Sequence, residues 1–294
     1  MPTSPTWPPP VVDTDWLRAA LDAAAEGRAA PVHLADLRWS LDGSQDHRSY
    51  LAGHLPGAVY VDLDTDLAAA PSPAAGRHPL PSPEAFAAIL GRLGIGPRDL
   101  VVAYDHGPGA IAARLVWMCR AIGQPATLLS GGLAGWDGPV DTGEVVPHPV
   151  ERTPVAWPRE RLADLDDVER LRHDPAAVLI DARDPARFRG EHEPVDARPG
   201  HVPGAVNLPV AANVDEAGRL LPIEVLRERY AAIDALSAEQ VVVSCGSGVT
   251  ACHDALVLEA LGVEAQLFVG SWSAWSADPT RPAATGPTSP DAGS

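Results

Sequence analysis

The chain repeats itself, and the repeat decides what it can fold into. Gly53-His54-Leu55-Pro56-Gly57-Ala58-Val59 recurs as Gly200-His201-Val202-Pro203-Gly204-Ala205-Val206. Leu34-Ala35-Asp36-Leu37-Arg38 recurs as Leu179-Ile180-Asp181-Ala182-Arg183. Val101-Val102-Ala103-Tyr104-Asp105 matches Val241-Val242-Val243-Ser244-Cys245, and Leu128-Leu129-Ser130-Gly131 with Trp136 matches Leu267-Phe268-Val269-Gly270 with Trp275. The landmarks keep their order at offsets of about 139 to 147 residues. Solenoid repeats run to about 20–50 residues, so a period this long means two copies of one domain. A chain of 294 residues is long enough for two cores.

Within each copy, apolar runs alternate with helical spacing. Val32 to Leu37, Ala58 to Val61, Leu100 to Tyr104 and Ala126 to Leu129 read as strands. Pro83 to Leu93, with Ser82 as N-cap, and Gly109 to Ile122 read as helices. In the second copy Ala177 to Asp181, Gln240 to Ser244 and Ala265 to Val269 read as strands. Leu162 to Arg172, Ile223 to Ile233 and Ala251 to Leu261 read as helices. The alternation predicts an α/β fold of two tandem domains, each a mainly parallel sheet flanked by helices. The first domain is expected over 10–137 and the second over 159–277. The Pro-rich stretch 138–158 is expected to be a linker, and 278–294, rich in Pro, Ala, Ser and Thr, a disordered tail.

The chemistry concentrates in Ser244-Cys245-Gly246-Ser247-Gly248-Val249-Thr250. This segment joins a buried strand to a helix start, so backbone N–H groups and the positive helix end face one sulfur. Such a setting favours thiolate, the nucleophilic form. The first copy carries Asp105 where the second carries Cys245, so only one copy can use a thiol there. Cys119 reads as core and Cys252 as a small buried residue, with a redox partner as its alternative, and the three cysteines argue against a disulfide framework. No spacing suggests a metal site, and no cofactor is expected. A net charge of −17 disfavours nucleic acid and anionic membranes as partners. No apolar run is long enough to span a bilayer, and Met1 to Pro10 lacks a basic-then-apolar pattern, which predicts cytoplasmic residence.

These motifs resemble the tandem-domain sulfurtransferases of the rhodanese family, most of all those acting on 3-mercaptopyruvate. Tyr50-x-x-x-His54-Leu-Pro-Gly-Ala58 fits the N-terminal signature, and Cys245-Gly-Ser-Gly-Val-Thr250 fits the mercaptopyruvate form of the active loop. Gly270-Ser271-Trp272-x-x-Trp275 is similar to the C-terminal signature, with Val269 and Ala274 where the family has acids. The resemblance implies a Cys245 persulfide, loaded from a small anionic sulfur donor. It would be unloaded by a thiol such as thioredoxin or a small thiol, or by cyanide, with pyruvate released. It places Ser247, His54 and an upstream acid, for which Asp46 is the candidate, near the sulfur. The first domain would then pack on the loop and deliver His54 as proton shuttle. Gly246, Gly248, Val249 and Thr250 would contact the substrate through the loop. Arg187 maps onto the substrate arginine, and Arg198 is the candidate for a second one in a shortened segment. Thiosulfate as donor is the alternative, although Gly246 and Ser247 stand where thiosulfate enzymes carry basic residues. A non-catalytic binding or sulfur-carrier module is the further alternative, and Asp105 suits the first domain to that role. A phosphatase is disfavoured because no arginine follows the loop.

Overall fold

The computed structural model describes residues 7–40 and 43–287. The first copy holds β1 (Val11–Val12), α1 (Thr14–Ala25), β2 (Val32–Asp36), α2 (His47–Ala52), β3 (Val59–Tyr60), α3 (Leu63–Asp66), α4 (Pro83–Arg92), β4 (Leu100–Tyr104), α5 (Ala112–Ala121) and β5 (Ala126–Leu129). The second holds β6 (Leu162–Ala163), α6 (Leu165–Leu171), β7 (Ala177–Asp181), α7 (Pro185–Phe188), β8 (Val206–Asn207), α8 (Ile223–Ala231), β9 (Gln240–Ser244), α9 (Ala251–Ala260), β10 (Gln266–Phe268) and α10 (Ser271–Ala277). The two sheets have the same order, β1-β5-β4-β2-β3 and β6-β10-β9-β7-β8, and every pairing is parallel. Parallel strands are buried on both faces. Val101, Val102 and Ala103 of β4, and Val242 and Val243 of β9, are accordingly fully enclosed.

Five central elements fall where the pattern puts them: β4, β5, β7 and β9 to the residue, and α9 to within one. The expected helix over Leu162 to Arg172 is corrected. Leu162–Ala163 extends beside β10, and α6 begins only after Asp164, whose carboxylate caps it in a reciprocal capping box with Asp167. The two-residue edge strands and the four-residue helices α3 and α7 are too short to carry a period.

The repeated motifs have one structural explanation. At the end of β2, Arg38 pairs with Asp36 at 2.7 Å and also donates to the carbonyls of Ser49 and Gly53. At the end of β7, Arg183 pairs with Asp181 at 2.7 Å and donates to the carbonyl of Gly200. Each arginine thus ties a strand end to the Gly-His-x-Pro-Gly turn. Both pairs are buried, where loss of one partner would strand a charge. Trp136 and Trp275 also share a task, each donating its indole N–H to a proline carbonyl, Pro139 and Pro282 respectively.

Grouping by internal contacts gives two compact units. The first comprises 1–67, 81–158 and 214–220; the second comprises 68–80, 159–213 and 221–294. Residues 68–80, which lie in the first repeat by sequence, therefore belong to the second unit. The stretch 138–158 has almost no regular structure, but it is tied down within the first unit: Val150 donates to the Gly91 carbonyl and Arg152 to that of Ile95. The expected tail is also corrected as far as the described residues reach. Ala284 pairs with His201 in both directions, Gly286 donates to Arg189, and Arg281 lies over the Trp275 ring. Residues 288–294 of the expected tail lie outside the described residues.

The first copy's version of the loop is closed upon itself. The Asp105 carboxylate accepts from the N–H groups of Gly107 (2.9 Å), Gly109 (2.9 Å), Ile111 (3.0 Å) and Ala112 (3.4 Å). A carboxylate accepting several amides at a helix start is a charge-assisted cap. Asp105→Ala should therefore cost about 2–4 kcal/mol of stability, because it leaves buried donors without an acceptor. Urea unfolding of the full chain measures this; a cost below about 0.5 kcal/mol would show that the cradle contributes nothing.

Candidate active site

The second copy's loop is built by β9, α9 and α10. β9 ends at Ser244, whose hydroxyl donates to the Ile180 carbonyl of β7. Cys245 follows at the sheet's carboxyl end, 2 % exposed. Its N–H donates to Ser271 Oγ at 3.1 Å, and Ser271 Oγ–H donates to the Phe268 carbonyl at 2.8 Å. Ser271 pays for this position with a left-handed backbone, φ 49°, a conformation that costs a side-chain-bearing residue about 1–2 kcal/mol. In the first copy the same place is Gly132, φ 52°. In the second copy the serine hydroxyl holds the Cys245 amide. Trp272 N–H and Ser273 N–H then hold the carbonyls of Cys245 (3.0 Å) and Gly246 (2.9 Å).

The loop turns back on the sulfur. Gly248 N–H donates to Cys245 Sγ at 3.1 Å. Gly248 has φ 75°, and a Cβ there would run into the Val269 carbonyl, so the turn requires glycine. Val249 and Thr250 complete the turn into α9. Cys252, the second residue of α9, is fully buried with its thiol on the Gly248 carbonyl at 3.3 Å, which makes it part of the loop's support. Cys119 is buried in the first unit, and burial pushes its thiol up to about 12, so it stays protonated at neutral pH.

Three side chains surround the loop. His78 Nδ1 lies 2.7 Å from Ser247 Oγ. The guanidinium of Arg77 lies over Gly246, where a Cβ would come within 2.9 Å of Arg77 Nη2 and 3.7 Å of both Arg187 Nη atoms. Glycine at 246 thus leaves room for two guanidiniums at the residue next to Cys245. Burial holds Arg77 below the usual guanidinium range, while the charge of Cys245 pulls it back up. Arg187, on α7, donates to Glu193 Oε1 (2.8 Å) and Asp196 Oδ2 (3.0 Å). Arg77 Nη1 pairs with Asp196 Oδ1.

The residues expected from sequence divide accordingly. Cys245, Gly246, Ser247, Gly248, Val249, Thr250 and Arg187 come together in the second unit. His54 is not among them. Its ring is fully buried in the first unit, stacked on Tyr50 at 4.1 Å, with Nδ1 on the Tyr50 carbonyl. His201 does the same in the second unit, stacked on Phe188 at 3.7 Å with Nδ1 on the Phe188 carbonyl. A ring enclosed in this way pins the turn that both copies share. The Asp46 carboxylate, also in the first unit, caps α2 through the N–H groups of Arg48 and Ser49. Arg198 is spent on four backbone carbonyls, those of Ser276, Arg281, Trp275 and Asp278, so it fastens the end of α10. Arg77 and His78 were not foreseen. An Arg-His pair in a Pro-rich irregular stretch carries no periodic or motif signal, and only the fold brings it to Cys245.

The comparisons agree with this picture. The rhodanese-like domain model matches residues 13–138 and 164–278. A putative thiosulfate sulfurtransferase, SseB, of Mycobacterium tuberculosis is 39% identical over 87% of this chain and 92% of its own. A probable 3-mercaptopyruvate sulfurtransferase of Pseudomonas aeruginosa is 39% identical over 92% of this chain and 98% of its own. The crystal structure of the Escherichia coli 3-mercaptopyruvate enzyme SseA superposes with a TM-score of 0.76 at 33% identity, covering 90% of this chain and 100% of that one. With two matched domains, one intact cysteine loop and full-length relatives of this kind, the chain belongs to the rhodanese family and is a sulfurtransferase.

Proposed function

We propose that this sulfurtransferase takes sulfur from 3-mercaptopyruvate, holds it as a Cys245 persulfide, and passes it to a thiol or cyanide. The observation that carries the reading is the Ser247–His78 pair, 2.7 Å apart, beside a cysteine whose loop carries no charged residue. The Cys245 thiolate attacks the donor sulfur. The Sγ–S bond forms as the donor C–S bond breaks, and the electron pair of that bond leaves on carbon as the enolate of pyruvate. That carbon needs a proton. The donor thiol supplies one to the Ser247–His78 pair, which delivers it to the enolate, leaving the persulfide on Cys245. His78 takes the role that His54 was expected to play. The Gly248 N–H stabilises negative charge on sulfur before and after transfer. Arg187 and Arg77 supply the cationic partner for the donor carboxylate. In the second half-reaction the acceptor attacks the outer sulfur and Cys245 leaves as thiolate, so ping-pong kinetics are expected.

Thiosulfate is the second reading, favoured by the two guanidiniums over Gly246, which would suit a dianion. Its leaving group, sulfite, needs no proton, so it gives the Ser247–His78 pair no task. The test is pyruvate release from 3-mercaptopyruvate against sulfite release from thiosulfate, with one cyanide acceptor. A higher kcat/KM is expected for mercaptopyruvate. Equal or better efficiency with thiosulfate would overturn the proposal.

A further inference from the structure

The two guanidiniums beside the loop already hold an anion of their own. Asp196 is buried, its side chain 2% exposed, and bridges Arg77 through Oδ1 and Arg187 through Oδ2. Its position is fixed by the turn before it. Glu193 Oε1 accepts from the N–H groups of Val195 (3.1 Å) and Asp196 (3.0 Å) and also from Arg187, while Glu193 Oε2 lies 3.4 Å from Arg183 Nη1. Arg183 is already matched by Asp181. The two cations nearest Gly246 are therefore matched by two buried carboxylates. A cleft of about 340 Å³ opens on this group, lined by Gly76, Arg77, Asp196, Ala197 and Ser273. Ser273 also holds the Gly246 carbonyl through its backbone N–H.

We propose that Asp196 is a specificity-determining residue: as the resident counter-ion of the Arg77–Arg187 pair, it sets the site to take a singly charged donor in preference to a doubly charged one. This role of Asp196 rests on the sulfur-donor reading above and on charge. A donor near two free guanidiniums gains energy in proportion to its own charge, so a dianion gains about twice what a monoanion gains. Supplying a buried carboxylate removes that advantage at once. Mercaptopyruvate brings one charge and a neutral thiol; thiosulfate brings two charges. Attraction for anions remains, because both arginines stay in place and keep N–H donors to share, yet it no longer rises steeply with charge. Specificity of this kind comes from a built-in penalty on the wrong ligand.

The test compares the full-length protein with Asp196→Asn, Asp196→Glu and Glu193→Gln at one ionic strength. Asp196→Asn keeps shape and removes charge. The ratio of kcat/KM for thiosulfate to that for mercaptopyruvate should rise about tenfold or more. The change should sit mainly in the thiosulfate KM, and mercaptopyruvate kcat should move less than about threefold. Asp196→Glu should restore the wild-type ratio. Glu193→Gln should shift it in the same direction, which keeps the test valid if the asparagine variant does not fold. A ratio within twofold of wild type in folded variants, or equal losses for both donors, would overturn the proposal. Thermal unfolding with sulfate and with acetate gives a reading that needs no turnover. Sulfate should raise Tm more in Asp196→Asn than in wild type, and acetate should gain clearly less than sulfate from the substitution. If the wild type fails to turn over mercaptopyruvate, the donor assignment falls, and the sulfate comparison still decides the role of Asp196.

Discussion

Cys245→Ser should reduce sulfur transfer by at least about a thousandfold with every donor, since removal of a covalent nucleophile costs on this scale. The hydroxyl is a poor nucleophile at neutral pH and cannot form the Sγ–S bond that carries the transferred atom. The fold should survive. Serine is nearly isosteric, its Oγ can still accept the Gly248 N–H, and the backbone bonds to Ser271 and Trp272 do not involve the side chain. Stability within about 1 kcal/mol of wild type is expected. Incubation with donor and intact-mass measurement should show one added sulfur on the wild type and none on the variant. An added sulfur on Cys245→Ser would move the nucleophile to another thiol. Cys252 and Cys119 are poorly placed for that, both being fully buried.

His78→Ala should lower kcat with 3-mercaptopyruvate by about a hundred- to thousandfold, the range of a positioned acid–base group. Turnover with thiosulfate should fall less than about threefold, because sulfite departs without a proton. The contrast separates proton delivery from loss of structure, which would lower both. Stopped-flow release of pyruvate and of sulfite from the same preparations measures it. His54→Ala should behave in the opposite way, lowering Tm through loss of the Tyr50 stack while leaving kcat near wild type. Unequal donor effects in His54→Ala, and equal ones in His78→Ala, would return the proton shuttle to the first motif.

The contrast between His54 and His78 shows what a sequence can reveal and what it withholds. Cys245, Ser247 and their glycines are legible because a strand–loop–helix turn places chemically linked groups side by side in the chain. β4 and β9 are legible because burial on both faces leaves an unbroken apolar run. Arg187 is found by resemblance, since α7 is too short to show a period. His54 stands out in sequence because its motif is repeated, and the repetition reflects a turn that both copies need. Asp46 and Arg198 have the residue types of a site and spend them on a helix cap and on backbone carbonyls. Arg77 and His78 are invisible for the reverse reason. Their segment is irregular, and the significance of His78 lies in a partner 169 residues away in the chain, Ser247. Asp196 is hidden by the expectation of a cation in its neighbourhood, where the chain supplies a carboxylate.

The Asp105 loop bears on the catalytic loop in another way. A carboxylate carries two acceptor atoms on one stem, and the first copy gathers four backbone donors around that pair. A lone thiolate carries one acceptor atom, and in the second copy Gly248 attends to it. A cysteine bearing a transferred sulfur again has two. In the proposed cycle, the first copy therefore wears permanently the form of occupancy that the second reaches only in mid-reaction. Duplication has left one loop settled at its endpoint and the other able to travel toward it and return.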